Sequence, residues 1–132
     1  MPDGSCVLIV EDEYMIAAAV RQIMHELKLG LSHVAQTVED AIKSAKEYKP
    51  LLIIMDLELK GNGDGVDAAI RIHKDQSCPI IFTTGHSGPA ALQRIFQDHP
   101  TAILKKPFSA EELKRAIRAA LQANNVSNTL GA

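Results

Sequence analysis

Residues 51–65 read LLIIMDLELKGNGDG. Five apolar residues, Leu51 to Met55, run straight into Asp56, and Gly61, Gly63 and Gly65 punctuate the loop after it. A run without polar alternation fits a strand buried on both faces, as at the centre of a parallel sheet, better than a strand with one wet side. A carboxylate where such a strand stops has two ordinary readings: it bonds its own turn, or it opens a calcium loop. A third reading is chemistry at the rim of the sheet, and the rest of the chain decides among them.

On either side of this stretch, similar short runs recur: CVLIV at 6–10, HVAQT at 33–37, PIIFT at 79–83 and TAIL at 101–104. Segments of helical period lie between them. Ile16, Val20, Ile23, Met24 and Leu27 make one stripe, with Gly30 placed to cap the helix end. Val38, Ala41, Ile42 and Ala45 make a second, closed by Pro50. Val66, Ala69, Ile70 and His73 suggest a short third helix, and Leu92, Ile95 and Phe96 a fourth after Pro89. The last helix has the clearest start: Ser109 and Glu112 form an S-x-x-E capping box, Phe108 and Leu113 can staple it, and Leu113, Ala116, Ile117, Ala120 and Leu121 share one face. Strands and helices alternating in this way predict an α/β fold of βα units around a parallel sheet. From Asn124 the period is lost, which predicts one domain over residues 5–122 and a flexible C-terminal tail over 123–132.

Composition narrows the function. The chain has 132 residues, 46% apolar and 23% charged, ordinary for one globular domain. A formal charge of -2 argues against an overall electrostatic grip on nucleic acid. The start MPDGSC has no basic or long apolar segment, and no apolar run is long enough to cross a bilayer, so a cytoplasmic protein without a membrane anchor is expected. Cys6 and Cys78 sit in or beside strand-like runs without C-x-x-C spacing and read as reduced core thiols.

In a doubly wound sheet, functional groups collect beyond the carboxyl ends of the strands. There the sequence places Glu11, Asp12 and Glu13; then Asp56; then Thr83 and Thr84; then Lys105, Lys106 and Pro107. Each alone has a structural reading, since acids favour helix starts and lysines are usually solvated. Together they put acids, hydroxyls and a lysine on one rim. Carboxylates held close repel one another unless a cation sits among them, and oxygen ligands on a shallow rim suit Mg²⁺ (or Mn²⁺) better than the cage that Ca²⁺ prefers. A carboxylate beside such an ion is a competent nucleophile toward phosphorus, with Thr84 and Lys106 able to bind the transferred oxygens.

The segments VLIVEDE (7–13), LLIIMDLEL (51–59), IIFTTG (80–85) and KKPF (105–108), in this order and spacing, resemble the receiver domain of two-component response regulators, the CheY-like fold. The resemblance implies a flavodoxin-like (βα)5 fold, a five-stranded parallel sheet of order 2-1-3-4-5 with helices on both faces. It implies that Asp56 is the phosphoacceptor and that Glu11 and Asp12 are the acidic pair that holds Mg²⁺. The same resemblance implies that Asp56 and the backbone carbonyl of Glu58 complete the metal ligands. Thr84 matches the switch hydroxyl and Lys106 the phosphoryl-binding lysine, leaving Thr83 and Lys105 as bystanders. Glu58 and His86, two past the phosphoacceptor and two past the switch threonine, match positions that tune phosphoryl lifetime. The chain departs from the family pattern in its loop LKGNGDG (59–65), which is one residue longer and lacks a proline, and at Ile103, where many receivers carry an aromatic. FTTGHS (82–87) is most similar to a subgroup of single-domain receivers.

The function so implied is a stand-alone response regulator. It accepts a phosphoryl group from a phosphohistidine of a sensor histidine kinase or phosphotransfer protein. It is not an enzyme in the ordinary sense, although it assists its own phosphorylation and dephosphorylation. Output would reach a downstream protein through the face of helix four, strand five and helix five, from a monomer or a phosphorylation-dependent homodimer.

Rival readings fare worse on chemistry. Asp56, Glu58, Lys60, Gly61 and Asp67 fall at EF-hand positions, but Lys60 puts a cation where an oxygen ligand is needed and a strand precedes the loop. An aspartyl-phosphate phosphatase of the haloacid dehalogenase type resembles D-x-D, which Asp56-Leu57-Glu58 is not. The glycines match no nucleotide loop. A receiver used only for docking, never phosphorylated, has no need of Asp12, Asp56, Thr84 and Lys106 together. His25, His33, His73, His86 and His99 show no ligand pattern, and most of them read as surface or helix-end residues, with only His86 near the site.

Overall fold

In the computed structural model, which describes residues 5–86 and 88–131 and side chains as far as Ala123, the apolar runs form strands and the periodic segments form helices. Along the chain come β1 (Cys6–Val10), α1 (Tyr14–Glu26), β2 (Leu31–Ala35), α2 (Val38–Tyr48), β3 (Leu52–Asp56), α3 (Gly65–Asp75), β4 (Ile80–Thr84), α4 (Pro89–Ile95), β5 (Ala102–Lys105) and α5 (Ala110–Gly131). All strand pairs are parallel and the order is β2-β1-β3-β4-β5, the doubly wound arrangement expected. β1, β3 and β4 are buried at every position, which is why their sequences carry no alternation.

Strand pleating divides the core into two layers. Leu8, Val10, Ile53, Met55, Ile80 and Phe82 pack under α2, α3 and α4 with Ala41, Val66, Ala69, Ile72 and Ile95. Val7, Ile9, Leu52, Ile54 and Ile81 pack under α1 and α5 with Val20, Met24, Leu113 and Ile117. Each fully buried Leu, Ile or Phe stabilises the fold by about 1.5–3 kcal/mol relative to exposure. The alternation also sorts the rim: Asp56 continues the parity of Ile54 toward α1 and α5, whereas Thr84 continues that of Phe82 toward α4.

Several local expectations need correction. β2 is Leu31–Ala35, two residues earlier than HVAQT, because Thr37 is taken as the N-cap of α2, accepting the Asp40 N–H at 3.1 Å. Gly30 does not cap α1. The left-handed turn after that helix falls on Lys28 (φ 57°), while a Cβ on Gly30 (φ +89°) would lie 2.2 Å from the Ser5 carbonyl, so close approach to the start of β1 is what requires glycine. Phe96 lies past the end of α4 and is exposed, not on the buried stripe. His73 lies in the last turn of α3, as a helix-end residue should, but it is also engaged: its Nδ1 lies 2.6 Å from buried Asp98 Oδ2 and its Nε2 2.8 Å from the Cys78 carbonyl. The Ser109–Glu112 box, by contrast, forms as expected, in both directions at 3.0 Å. α5 runs to Gly131, past the end expected near Asn124. The tail expected over 123–132 lies almost wholly outside the residues whose side chains are described.

Cys6 and Cys78 are free and buried, their thiols facing the carbonyls of Tyr48 (3.5 Å) and Pro50 (3.3 Å). Burial pushes the Cys78 thiol up to about 12. Neither thiol has the electropositive, open setting of a reactive cysteine.

Candidate functional site

β1 and β3 end side by side, β5 lies beyond β4 on the same rim, and the parity of each brings one polar residue to the same side of the rim. Glu11 follows β1, Asp56 ends β3 and Lys106 follows β5. The Lys106 ammonium lies 2.8 Å from Glu11 Oε1 and 3.1 Å from Asp56 Oδ2. Glu11 is 3% exposed and Asp56 2%, so both acids are withdrawn from water and the lysine bridges them. Asp12, half-buried at the start of the β1–α1 turn, accepts the Lys60 N–H at 3.0 Å and so ties that turn to the β3–α3 loop. Glu11, Asp12 and Asp56 can each offer an oxygen, and these atoms lie within 4.8 Å of one another, the one such grouping among the described residues.

Two carboxylates share one ammonium, so one negative charge is left unmatched. Burial, then the charge of Glu11, pushes the Asp56 carboxyl up to about 7, against the opposing pull of Lys106. Burial works against the Lys106 ammonium as well, but its hydrogen bond to Glu11 and the charge of Asp56 outweigh that and hold it above its ordinary value. The pair of directions describes a site short of positive charge.

Thr84 is buried, but its hydroxyl is not turned to Asp56. It donates to Glu58 Oε2 at 2.6 Å and accepts the His86 N–H at 3.0 Å. The other Glu58 oxygen accepts the Gly85 N–H at 2.9 Å, and the Glu58 N–H points back to Asp56 Oδ1 at 3.3 Å. The structure therefore brings Glu11, Asp12, Asp56 and Lys106 together and places Thr84 one step away, through Glu58. The His86 side chain is exposed and Lys105 points outward. Thr83 pairs with Asp56 across the β3–β4 ladder, its carbonyl accepting the Leu57 N–H at 2.8 Å.

A clasp lies behind the site. Asp64 and Asp67 form a reciprocal capping box at the start of α3, and Arg94 of α4 grips both. Its Nε and one terminal nitrogen reach the two Asp64 oxygens at 2.8 and 2.9 Å, and the same terminal nitrogen reaches Asp67 Oδ1 at 2.6 Å. The Asp64 N–H, then Arg94, hold the Asp67 carboxyl below its ordinary range. D-x-x-D before the stripe at Val66 was a readable N-terminal signal. The reach of Arg94 was not, since it depends on where α4 sits. Gly65, the first residue of α3, packs so closely that a Cβ there would lie 2.3 Å from the Asp56 carbonyl oxygen.

The model of the response regulator receiver domain matches residues 7–118. The chain belongs to that family. Receiver domains are phosphoacceptor signalling modules rather than enzymes in the ordinary sense, and they partner with histidine kinases. The chain is 33% identical over 115 residues to the transcriptional regulatory protein PdtaR of Mycobacterium tuberculosis, covering 87% of this chain and 56% of that protein. It is 32% identical over 116 residues to the phyllosphere-induced regulator PhyR of Methylorubrum extorquens, covering 87% and 43%. The chain thus spans about half the length of these curated relatives. Among solved structures, the signal receiver domain of a modulated diguanylate cyclase from Desulfovibrio desulfuricans superposes with a TM-score of 0.84 at 32% identity, covering 92% of this chain and 97% of that one. The signal receiver domain of a putative Luxo repressor protein from Vibrio parahaemolyticus gives 0.85 at 26%, covering 97% and 98%. The acidic group at Glu11, Asp12 and Asp56 is the feature of this receiver suited to a metal ion. No helix among the described residues is long and apolar enough to cross a membrane.

Proposed function

We propose that this receiver takes a phosphoryl group onto Asp56 from a phosphohistidine of a sensor histidine kinase or phosphotransfer protein, and signals as an independent cytoplasmic unit through protein–protein contact. The observation that carries the reading is the buried Asp56 carboxylate at the end of a central strand, bridged by Lys106 and flanked by two further acids. One Asp56 oxygen attacks phosphorus; a P–O bond forms as the P–N bond to the donor breaks, and the bond's electron pair stays on the imidazole nitrogen. Lys106, already 3.1 Å from Asp56 Oδ2, has the charge and reach to hold a transferred oxygen.

An oxygen-only donor set with unmatched negative charge fits Mg²⁺ or Mn²⁺, which Glu11, Asp12, Asp56 and the Glu58 backbone carbonyl would hold. When bound, such an ion supplies positive charge to the phosphoryl oxygens. The chain's own contribution is mostly placement: backbone N–H groups and the Arg94 clasp fix the loops on either side of Asp56. The modified state would be passed on by the face of α4, β5 and α5, as monomer or as a phosphorylation-dependent homodimer.

Intact-mass measurement after treatment with acetyl phosphate and Mg²⁺ tests the reading. The parent should gain one phosphoryl mass and Asp56→Asn should not; equal uptake by the variant removes Asp56 from the role.

A further inference from the structure

Two hydrogen-bond donors stand side by side where β4 ends, the Thr84 hydroxyl and the Gly85 N–H. One side chain holds both. Glu58 Oε2 takes the hydroxyl proton at 2.6 Å and Oε1 takes the amide at 2.9 Å. Adjacent donors closed on two oxygens of one anion make a small anion-binding cradle, and here the anion is part of the chain. The hydroxyl has one proton to give. Its other acceptor, the His86 carbonyl at 3.0 Å, is neutral and more distant, so the charged carboxylate holds it. Strand parity adds to this, because Thr84 leans toward α4 with Phe82 and Asp56 toward α1 and α5 with Ile54. Glu58 meanwhile touches Asp56 with its own N–H at 3.3 Å. The same residue thus contacts the acceptor carboxylate through its backbone and the switch hydroxyl through its side chain.

We propose that Glu58 is a positioning residue, an internal anion that occupies Thr84 and Gly85 and that a phosphoryl group on Asp56 must displace. The proposal rests on the reading of Asp56 as phosphoacceptor. Two anions cannot take one hydroxyl proton, so the arrangement with Thr84 on Glu58 and the arrangement with Thr84 on a phosphoryl oxygen exclude each other. Because the coupling is reciprocal, whatever the Glu58 contact adds to the unmodified state is subtracted from the affinity for the phosphoryl group. Reach matters as much as charge. An aspartate at this position keeps the charge near the rim but is one methylene too short to span from the β3–α3 turn to both donors.

The experiment is a titration with beryllium fluoride, a phosphoryl mimic, in the presence of Mg²⁺, followed by amide NMR on the parent, Glu58→Ala, Glu58→Asp and Asp56→Asn. Glu58→Ala and Glu58→Asp should both bind the mimic about tenfold more tightly than the parent, and both should move the Gly85 amide resonance before any mimic is added. If Glu58→Asp binds like the parent while Glu58→Ala binds more tightly, Glu58 acts only by repelling anions and the proposal is overturned. It is equally overturned if neither variant changes the affinity or if the Gly85 resonance of the free protein does not move. A parent that fails to bind the mimic, or binds it as Asp56→Asn does, refutes the phosphoacceptor reading itself. Binding that depends on Asp56 but is indifferent to Glu58 refutes only the displacement.

Discussion

Replacing Asp56 by asparagine should stabilise the metal-free protein, and by more at high pH than at low. The Asp56 carboxyl has an ordinary value of 3.8 and is pushed up to about 7 in the fold, by burial first and by Glu11 second. A value raised on folding means that the native state holds its proton where the unfolded chain has lost it. Stability from this group is therefore complete below about 4 and lost as pH rises toward 7. Between pH 5 and pH 8 the loss would be about 2.7 kcal/mol if the shift were felt in full. Half-exposed Asp12 and a rim open to water and salt screen the site, which reduces the expected difference to about 1–1.5 kcal/mol. The asparagine side chain cannot ionise, so the quantity to measure is the difference in unfolding free energy between parent and variant in urea, in chelator, at both pH values. Other titrating groups largely cancel in that difference. The variant should gain about 1–1.5 kcal/mol over the parent at pH 8 relative to pH 5, and millimolar Mg²⁺ should shrink the gain by stabilising the ionised parent. A difference that is flat with pH, or that favours the parent more at pH 8, would show that Asp56 is not held in a site short of positive charge.

Other expectations are local. Gly65→Ala should cost about 2–3 kcal/mol in thermal or urea unfolding, because the new Cβ meets the Asp56 carbonyl at 2.3 Å and Met55 Cγ at 2.9 Å. Gly61→Ala, with open space around it but φ at +94°, should cost about 1 kcal/mol, so the order of the two tests close packing against backbone strain. Arg94→Ala should cost about 1 kcal/mol, falling at high salt, since its partners are partly exposed; no loss at low salt would mean that the clasp to Asp64 and Asp67 is not formed in solution. For the phosphorylated protein, Glu58→Ala and His86→Ala should each change the decay rate several-fold, on the order of 1 kcal/mol in barrier, while outward-facing Lys105→Ala changes it little.

Local period and strand ends were the features legible in the sequence. The apolar run at 6–10 marked a strand, and the unbroken run at 51–55 marked a central one, because burial on both faces leaves no room for alternation. The residues after them marked the rim, and Glu11, Asp12, Asp56 and Lys106 do converge there. The pattern places strand two late by two residues because an edge strand with Leu31 exposed carries little periodicity, and because Thr37 suits a cap as well as a strand. The loop of three glycines hid a capping box, since Gly63 and Gly65 dominate the pattern around Asp64 and Asp67. What stayed illegible depends on how elements distant in sequence pack together. The Arg94 clasp, the His73–Asp98 pair and the turn of the Thr84 hydroxyl toward Glu58 all join side chains some 25 or more residues apart. No periodicity encodes such meetings.

Trapping the acyl phosphate decides whether Asp56 itself carries the phosphoryl group. The protein would be phosphorylated with acetyl phosphate and Mg²⁺, reduced with borohydride, which converts an aspartyl phosphate to homoserine, and mapped by peptide mass spectrometry. Reduction is expected at Asp56 alone, and should be abolished when Mg²⁺ is chelated before phosphorylation. Reduction at Asp12 or another acid, or a phosphoryl group that survives on a serine, threonine or histidine with Asp56 unmodified, would contradict the assignment of Asp56 as phosphoacceptor.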